Sequence, residues 1–245
     1  MIIIYDGTFS GLLTLYYGLL KNNINPLLIT KNRKNFLSSE IKYTKTDSLI
    51  SDYMFSYIKD KTDYDVLRNI YLGYLSKDEN VLVNTFNYMK KSIISKKNLI
   101  KDLSDYDILK LNRSIRNTEG EAHRFLGLVR FRRLNDESYY SVINPDNDIL
   151  PLMAGHFKNR LNEKWIIHDI NRNYCLIYDK KNINYYKVDR FEYGKLVEAY
   201  HEEEKVYQNL WNNYHESIAI KERENRKLQF QFIPVRYWKY LIEKY

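Results

Sequence analysis

The first half of the chain carries apolar residues mainly at the three- and four-residue intervals that are typical of amphipathic helices. A short apolar run at residues 2–5 predicts a buried strand, which a turn at Asp6 and Gly7 follows. A helix is predicted from about Ser10, which we expect to be its N-cap. A second, weaker strand is predicted at residues 41–44. Further helices are predicted over residues 46–61, 65–75, 79–95 and 105–118.

The second half of the chain changes to the two-residue alternation of β-strands. The turn signal Asn144-Pro145-Asp146 leads into one helix at residues 149–161. Another helix is predicted from about residue 198 to residue 218, ahead of an aromatic-rich ending. Strands are predicted over residues 122–133, 138–143, 164–169, 173–178 and 184–189.

These elements predict an α+β protein with a helical N-terminal region opened by a short strand. A mainly antiparallel sheet with a packed helix follows, and C-terminal helices end the chain. We expect a mainly helical N-terminal region over residues 1–118 and a sheet region with a helical and aromatic tail over residues 119–245. A single domain is the alternative, because no low-complexity linker separates the two regions.

The predicted strand at residues 122–133 places unlike rows of side chains on its two faces. One row is mostly apolar, and the other carries Arg124, Arg130 and Arg132 around two leucines. An exposed row of this kind suits an anionic partner such as a phosphate backbone. The alternative is a solvated face whose arginines pair with local acidic residues.

Part of the same segment, Arg124 to Phe131, partly fits the signature of the RNA-recognition module. Leu126 and Leu128 stand where that module has the aromatic residues that stack on bases. Leucine has no π face for stacking, so we reject this assignment.

The formal net charge of +8 comes from 39 Lys and Arg residues against 31 Asp and Glu residues, and it favours anionic partners. On the predicted helix at residues 105–118, Lys110, Arg113 and Arg116 share one side. This basic side is either a solvated face or a contact for phosphate.

The C-terminal tail interleaves cations with aromatic residues, a combination that can contact phosphates and stack on bases. The alternative is that the tail packs on the body of the protein through residues 234–238. Its candidate nucleic-acid contacts are Arg223, Arg226, Lys227, Arg236 and Trp238.

No recognisable catalytic motif is present, so the sequence leaves open whether the protein is an enzyme. The candidates for catalytic acid and base groups are His123, His156, His168 and Asp169. The three histidines are not spaced like a zinc signature, and we expect no metal and no cofactor. The single cysteine, Cys175, is predicted to fill the core of a strand. The acidic run at residues 202–204 is interpreted as a solvated helix start.

No run of 18 or more apolar residues occurs in the sequence, and the N-terminus lacks the basic segment of a secretory signal. We therefore expect a cytoplasmic protein without a membrane partner.

Five blocks of the sequence resemble a bacterial family of uncharacterised proteins assigned to DNA metabolism or DNA repair. The resemblance covers essentially the whole chain, and the blocks occur in the same order. The blocks are IIYDGTFSGLL, GEAHRFLGLVRF, INPDNDILPLMAGHFKNRL, WIIHDINR and LWNNYHESIAIKERENRKLQFQFIPVRYWKYL.

This resemblance implies a radical-SAM protein as partner, because members of the family are typically encoded beside one. It also implies a relation to the N-terminal domain of longer chains that end in a uracil-DNA glycosylase domain. The present sequence contains neither a glycosylase domain nor the CxxxCxxC motif of a radical-SAM cluster. Any such chemistry is therefore expected to come from the partner.

Three hypotheses follow. The first is a non-catalytic accessory protein of DNA repair or modification that binds DNA and acts with a radical-SAM partner. The second is an enzyme acting on nucleic acid or a nucleotide through the histidines and Asp169, which requires these groups to converge in one pocket. The third is a protein-interaction scaffold, which requires an exposed apolar patch.

Overall fold

The computed structural model describes residues 1–31, 41–188 and 199–243. The chain forms two compact units, Met1–Glu119 and Gly120–Tyr245. Both helices and sheets are present, which confirms the predicted α+β class. Within the described ranges, no helix combines the length and the apolar character needed to cross a membrane.

The first unit contains a small parallel sheet with the strand order β2-β1-β3. Its strands are β1 (Ile2–Ile4), β2 (Leu28–Thr30) and β3 (Ile41–Tyr43). Both β2 and β3 pair with β1 in parallel. The structure confirms the strands predicted near residues 2–5 and 41–44, whereas the sequence did not predict β2.

Four helices of the first unit confirm the predicted positions. They are α1 (Phe9–Lys21), α2 (Ser48–Lys61), α3 (Tyr64–Tyr74) and α4 (Val81–Ser95). The predicted N-cap of α1 is wrong by two residues. Thr8, not Ser10, is in the extended conformation of a cap, and its Oγ1 accepts a hydrogen bond from Gly11 N at 2.9 Å.

Gly11 allows the first turn of α1 to approach the side chains of Asp6 and Thr46. A Cβ atom at this position would overlap Asp6 Oδ1 and would lie 2.7 Å from Thr46 Oγ1. We expect Gly11→Ala to lower the free energy of unfolding by about 1–3 kcal/mol. Gly18→Ala in the same helix is the control, since it meets nothing within 4 Å and should stabilise by about 0.5–1 kcal/mol. Equal denaturation midpoints of the two variants, measured by circular dichroism, would contradict the expected crowding.

The helix α5 (Tyr106–Leu128) is longer than predicted and replaces most of a predicted strand. The strand prediction for residues 122–133 is wrong, because only β4 (Arg132–Arg133) is extended there. Helical periodicity explains the difference, since buried residues continue at three- and four-residue intervals past residue 118. These buried residues are Ile108, Leu111, Ile115, Thr118, Ala122 and Phe125.

The sheet region of the second unit contains β4 and five further elements. They are β5 (Tyr139–Ile143), α6 (Leu150–Arg160), β6 (Trp165–Asp169), β7 (Tyr174–Tyr178) and β8 (Ile183–Lys187). The strands form one sheet with the order β4-β5-β6-β7-β8. The prediction of a mainly antiparallel sheet is correct for three of its four strand pairs. The exception is β5 with β6, which pair in parallel because helix α6 connects them as a crossover. The predicted end of the last strand at residue 189 lies outside the described residues.

The core of the second unit forms where α5 and α6 pack with the sheet. Trp165 is fully buried in β6, and Phe125 of α5 meets Tyr237 edge-on, with ring centroids 4.7 Å apart. Cys175 is buried in β7, as predicted. Tyr237 thus attaches the C-terminal residues to the core.

The C-terminal part is helical, as predicted. Helix α7 (Glu204–Ile218) begins later than expected, and the predicted start at residue 198 lies outside the described residues. A short 3₁₀ turn (Lys221–Arg223), α8 (Arg226–Phe232) and α9 (Val235–Trp238) follow.

Candidate nucleic-acid interface

The three arginines of the predicted strand do not share a face. Arg124 is exposed on α5. Arg130 donates two hydrogen bonds to Glu243, at 3.1 and 2.5 Å. Arg132 is only 3% exposed, and its guanidinium lies 5.7 Å from the ring centre of Tyr200. A continuous cationic face is therefore absent from this segment, because α5 ends before Arg130.

The histidines and Asp169 also occupy different environments. His123 is exposed on α5, whereas His168 is 1% exposed in β6, where its Nδ1 lies 2.6 Å from Tyr140 Oη. His156 lies on α6 with its ring edge-on to Phe157. The structure does not bring these groups into one accessible site, and no cluster suited to a metal ion exists among the described residues.

Asp169 caps the turn after β6. Its carboxylate accepts hydrogen bonds from the backbone N of Asn171 at 2.9 Å and from Arg172 Nη1 at 2.8 Å. Burial raises the pKa of Asp169 to about 6, against the opposing effect of Arg172. These contacts give the side chain a structural role in holding the turn.

The burial of His168 should make stability depend on pH. Burial lowers the pKa of His168 from 6.5 to about 4, so the unfolded chain binds a proton more readily. The stabilisation is fully present above about pH 6.5, is lost progressively as pH falls below 6.5, and the loss is complete once pH has fallen through about 4. Between about pH 7 and about pH 5, the lowered pKa of His168 reduces the free energy of unfolding by about 2 kcal/mol. The raised pKa of Asp169 acts in the opposite direction and offsets about 1 kcal/mol of this loss.

We expect His168→Gln to remove this dependence, so that the stability difference between the wild type and the variant shrinks by about 2 kcal/mol at the lower pH. Urea unfolding followed by tryptophan fluorescence measures it, because the protein's three tryptophans, Trp165, Trp211 and Trp238, all lie in the second unit. The exposed His123, changed to Gln, is the control. A constant difference between wild type and His168→Gln would contradict the expectation.

Of the tail residues predicted to contact DNA, Arg236 makes contacts with the body of the second unit. Its Nη2 contacts the carboxylate of Asp146, lies 3.8 Å from Glu121 Oε1 and donates to Tyr237 Oη at 2.8 Å. Glu121 is 2% exposed and accepts hydrogen bonds from Asn147 and Tyr237. For Arg236 and Tyr237, the structure therefore agrees with the alternative interpretation of the tail, in which residues 234–238 pack on the body of the protein.

The remaining predicted tail residues are three exposed cations and the half-buried Trp238, and together with Phe230 we call them the aromatic–basic surface. Arg223, Arg226 and Lys227 are exposed, and Arg226 and Lys227 lie one turn before Phe230 on α8. The ring of Phe230 stacks on Trp238, with centroids 5.2 Å apart and planes 6° from parallel. The surface consists of Arg223, Arg226, Lys227, Phe230 and Trp238.

Local hydrogen bonds hold this surface in shape. The Asn225 side chain caps α8 by accepting from Leu228 N at 3.0 Å. The indole of Trp238 donates to the carbonyl of Ile233 at 2.8 Å, which fixes the ring beneath Phe230. Arg226 Nε lies 3.2 Å from Glu224 Oε1, but both side chains are largely exposed. Exposed ion pairs of this kind contribute little to stability.

A cleft of about 490 Å³ lies in the same unit, and sequence reasoning missed it. Helix α7 contributes Glu204, Tyr207, Gln208 and Trp211 to its lining. The interpretation of residues 202–204 as a solvated run is wrong for Glu204, which is buried and accepts hydrogen bonds from Arg133 N and Gln208 Nε2. The sequence did contain a sign of this lining. Glu204 and Gln208 are four residues apart, as are Tyr207 and Trp211, so each pair lies on one side of a helix.

Trp211 is held in place at this cleft by a partly buried ion pair. Its indole donates to Glu243 Oε2 at 3.1 Å, and the Arg130 guanidinium lies 5.3 Å from its ring centre. Burial alone raises the pKa of Glu243, but hydrogen bonds from Arg130 and Trp211 lower it below the ordinary value. Glu243 therefore stays ionised and keeps both partners in position.

Comparison with known proteins finds a family but no characterised relative. Residues 79–243 match a family described as a domain of unknown function (DUF4130). No curated protein and no solved structure matches the chain significantly. The matched range includes the aromatic–basic surface and the cleft and covers more than half of the chain. The protein therefore belongs to the family described as a domain of unknown function, DUF4130.

Proposed function

We propose that this protein is a DNA-binding accessory protein of DNA repair or DNA metabolism that acts with a radical-SAM partner. The observation that carries DNA binding is the aromatic–basic surface, in which the exposed Arg226 and Lys227 lie one turn before Phe230, whose ring stacks on Trp238. Arg223 adds a third exposed cation in the turn that precedes this helix. The radical-SAM partner and the relation to uracil-DNA glycosylase chains rest on the family resemblance of the sequence.

The composition of this surface favours single-stranded DNA. Lys and Arg side chains neutralise phosphates, and aromatic rings stack on bases that are not already stacked in a duplex. Such stacking tolerates any base sequence, because every base has a π face. We therefore infer weak sequence preference and a preference for single strands over duplexes.

A protein partner has a separate candidate contact on α7. The exposed side chains of Tyr207, Leu210, Tyr214 and Ile218 recur at three- and four-residue intervals, so they share one side of the helix. A contiguous exposed apolar patch is typical of protein-interaction sites. This feature favours the scaffold hypothesis as the second candidate function, with or without DNA binding.

Fluorescence anisotropy with labelled single-stranded, duplex and uracil-containing DNA tests the proposal. Between about 50 mM and about 200 mM salt we expect the affinity to fall steeply, because phosphate contacts release counterions. Single strands should bind more tightly than duplexes. No binding to any of the three at low salt would exclude the DNA-binding function and leave the scaffold function.

A further inference from the structure

The cleft has the size and lining of a site for a flat ring. Its volume of about 490 Å³ lies in the range of roughly 300–1,000 Å³ that is typical of small-molecule sites. Aromatic walls favour a ligand with a π face of its own. The aromatic residues in the lining are Phe131, Tyr139, Tyr207 and Trp211.

The charges around the cleft disfavour an anionic ligand. Arg130 is engaged by Glu243, with only 19% and 7% of the two side chains exposed. Arg133 contacts the carboxylates of Glu137 and Glu203. The buried carboxylate of Glu204 also lines the cleft. An entering phosphate would meet arginines whose charge carboxylates already neutralise, and those carboxylates would repel it. An uncharged ring is not repelled by the carboxylates.

One polar group of the lining is available for recognition. The Gln208 side chain donates through Nε2 to Glu204 Oε1 at 2.9 Å, which orients the amide because a carboxylate oxygen only accepts. The other amide atom, Oε1, accepts no hydrogen bond from any residue that the structure describes. An acceptor beside an aromatic wall suits the N–H edge of a base that has left its stack.

We propose that the cleft binds one unstacked nucleobase of a single-stranded nucleic acid, which stacks on Trp211 and donates an N–H group to Gln208 Oε1. The Arg130–Glu243 pair is a positioning device in this site, since it fixes the indole before the base arrives. The proposal rests on the proposed function, because a strand held at the aromatic–basic surface supplies the base. Helix α7 carries Trp211 and Gln208 and leads along the chain to that surface.

A strand of abasic residues that carries a single normal base isolates this contact. Its affinity, compared with that of the fully abasic strand, gives the gain that comes from the base while the phosphates stay constant. Because base–aromatic stacking is worth about 1–3 kcal/mol, we expect a gain of about five-fold to about a hundred-fold. Trp211→Ala should abolish the gain, Trp211→Phe should keep part of it, and Gln208→Leu should reduce it.

Phe230→Ala is the matched control, since Phe230 is an exposed aromatic residue of the aromatic–basic surface and does not line the cleft. Loss of the gain in Phe230→Ala, or its persistence in Trp211→Ala, would overturn the cleft proposal. Equal binding of the two strands by the wild type would overturn it too, while DNA binding itself stands.

Free nucleosides separate the cleft from DNA binding, because they need no strand contact. We expect millimolar nucleosides to give saturation-transfer NMR signals with the wild type and not with Trp211→Ala. This result without any strand binding would support the cleft and refute the proposed function. Displacement of the nucleoside by an equal concentration of N-acetyltryptophanamide would refute a nucleobase site and indicate one for aromatic side chains.

Discussion

Replacing Glu121 by Ala is expected to lower the free energy of unfolding of the second unit by about 3–5 kcal/mol. The Glu121 carboxylate accepts hydrogen bonds from Asp146 N at 2.9 Å, from Asn147 N at 2.8 Å and from Asn147 Nδ2 at 2.6 Å. It also accepts from Tyr237 Oη. Its removal leaves several buried donors without an acceptor, and each such donor costs about 1–3 kcal/mol with incomplete additivity.

Urea unfolding followed by tryptophan fluorescence measures this loss. Glu163→Ala is the control in the same unit, since Glu163 pairs with Lys180 where both side chains are 55% exposed. The control should change stability by less than about 1 kcal/mol. If Glu121→Ala were as mild as the control, the polar contacts of Glu121 could not hold Tyr237 and the C-terminal residues on the core.

Simultaneous replacement of Arg223, Arg226 and Lys227 by Ala is expected to weaken binding to single-stranded DNA on the order of 10–100-fold at low salt. Each phosphate contact on a single strand contributes about 0.7 to the slope of log affinity against log salt. Losing three contacts should therefore make the slope shallower by about 2. Stability should hardly change, because all three side chains are exposed.

The matched control replaces Lys110, Arg113 and Arg116, three exposed cations of α5, by Ala. Both triple variants lose the same charge, so a general effect of net charge would weaken their binding alike. We expect the α5 variant to retain a wild-type salt slope. The opposite result, a shallower slope in the α5 variant alone, would move the DNA contact to the first unit.

The fold class and most element positions followed from the sequence, because the apolar periods in these segments were long and regular. Helix α5 shows where this reasoning failed. In residues 122–133 a two-residue period separates a mostly apolar row from a row that carries Arg124, Arg130 and Arg132, and this separation suggested a strand. The helical spacing that continues from Ile108 to Phe125 determines the structure, since it buries one side of a 23-residue helix.

The candidate site was predictable only where it depends on neighbours in the sequence. The interleaving of cations and aromatic residues pointed to Arg226, Lys227 and Trp238 directly. The engagement of Arg130 was not predictable, because its partner Glu243 lies 113 residues away. The cleft depends on the same distant pair, which explains why the sequence did not reveal the position of Trp211.

Photo-cross-linking of a single-stranded oligonucleotide that contains iododeoxyuridine tests the central claim most directly. Mass spectrometry of the linked peptides identifies the residues that the strand contacts, without any substitution that alters the fold. We expect cross-links at Trp211, Phe230 and Trp238, on the peptides that span α7 to α9. Cross-links confined to the first unit, or none at low salt, would contradict nucleic-acid binding by the aromatic–basic surface.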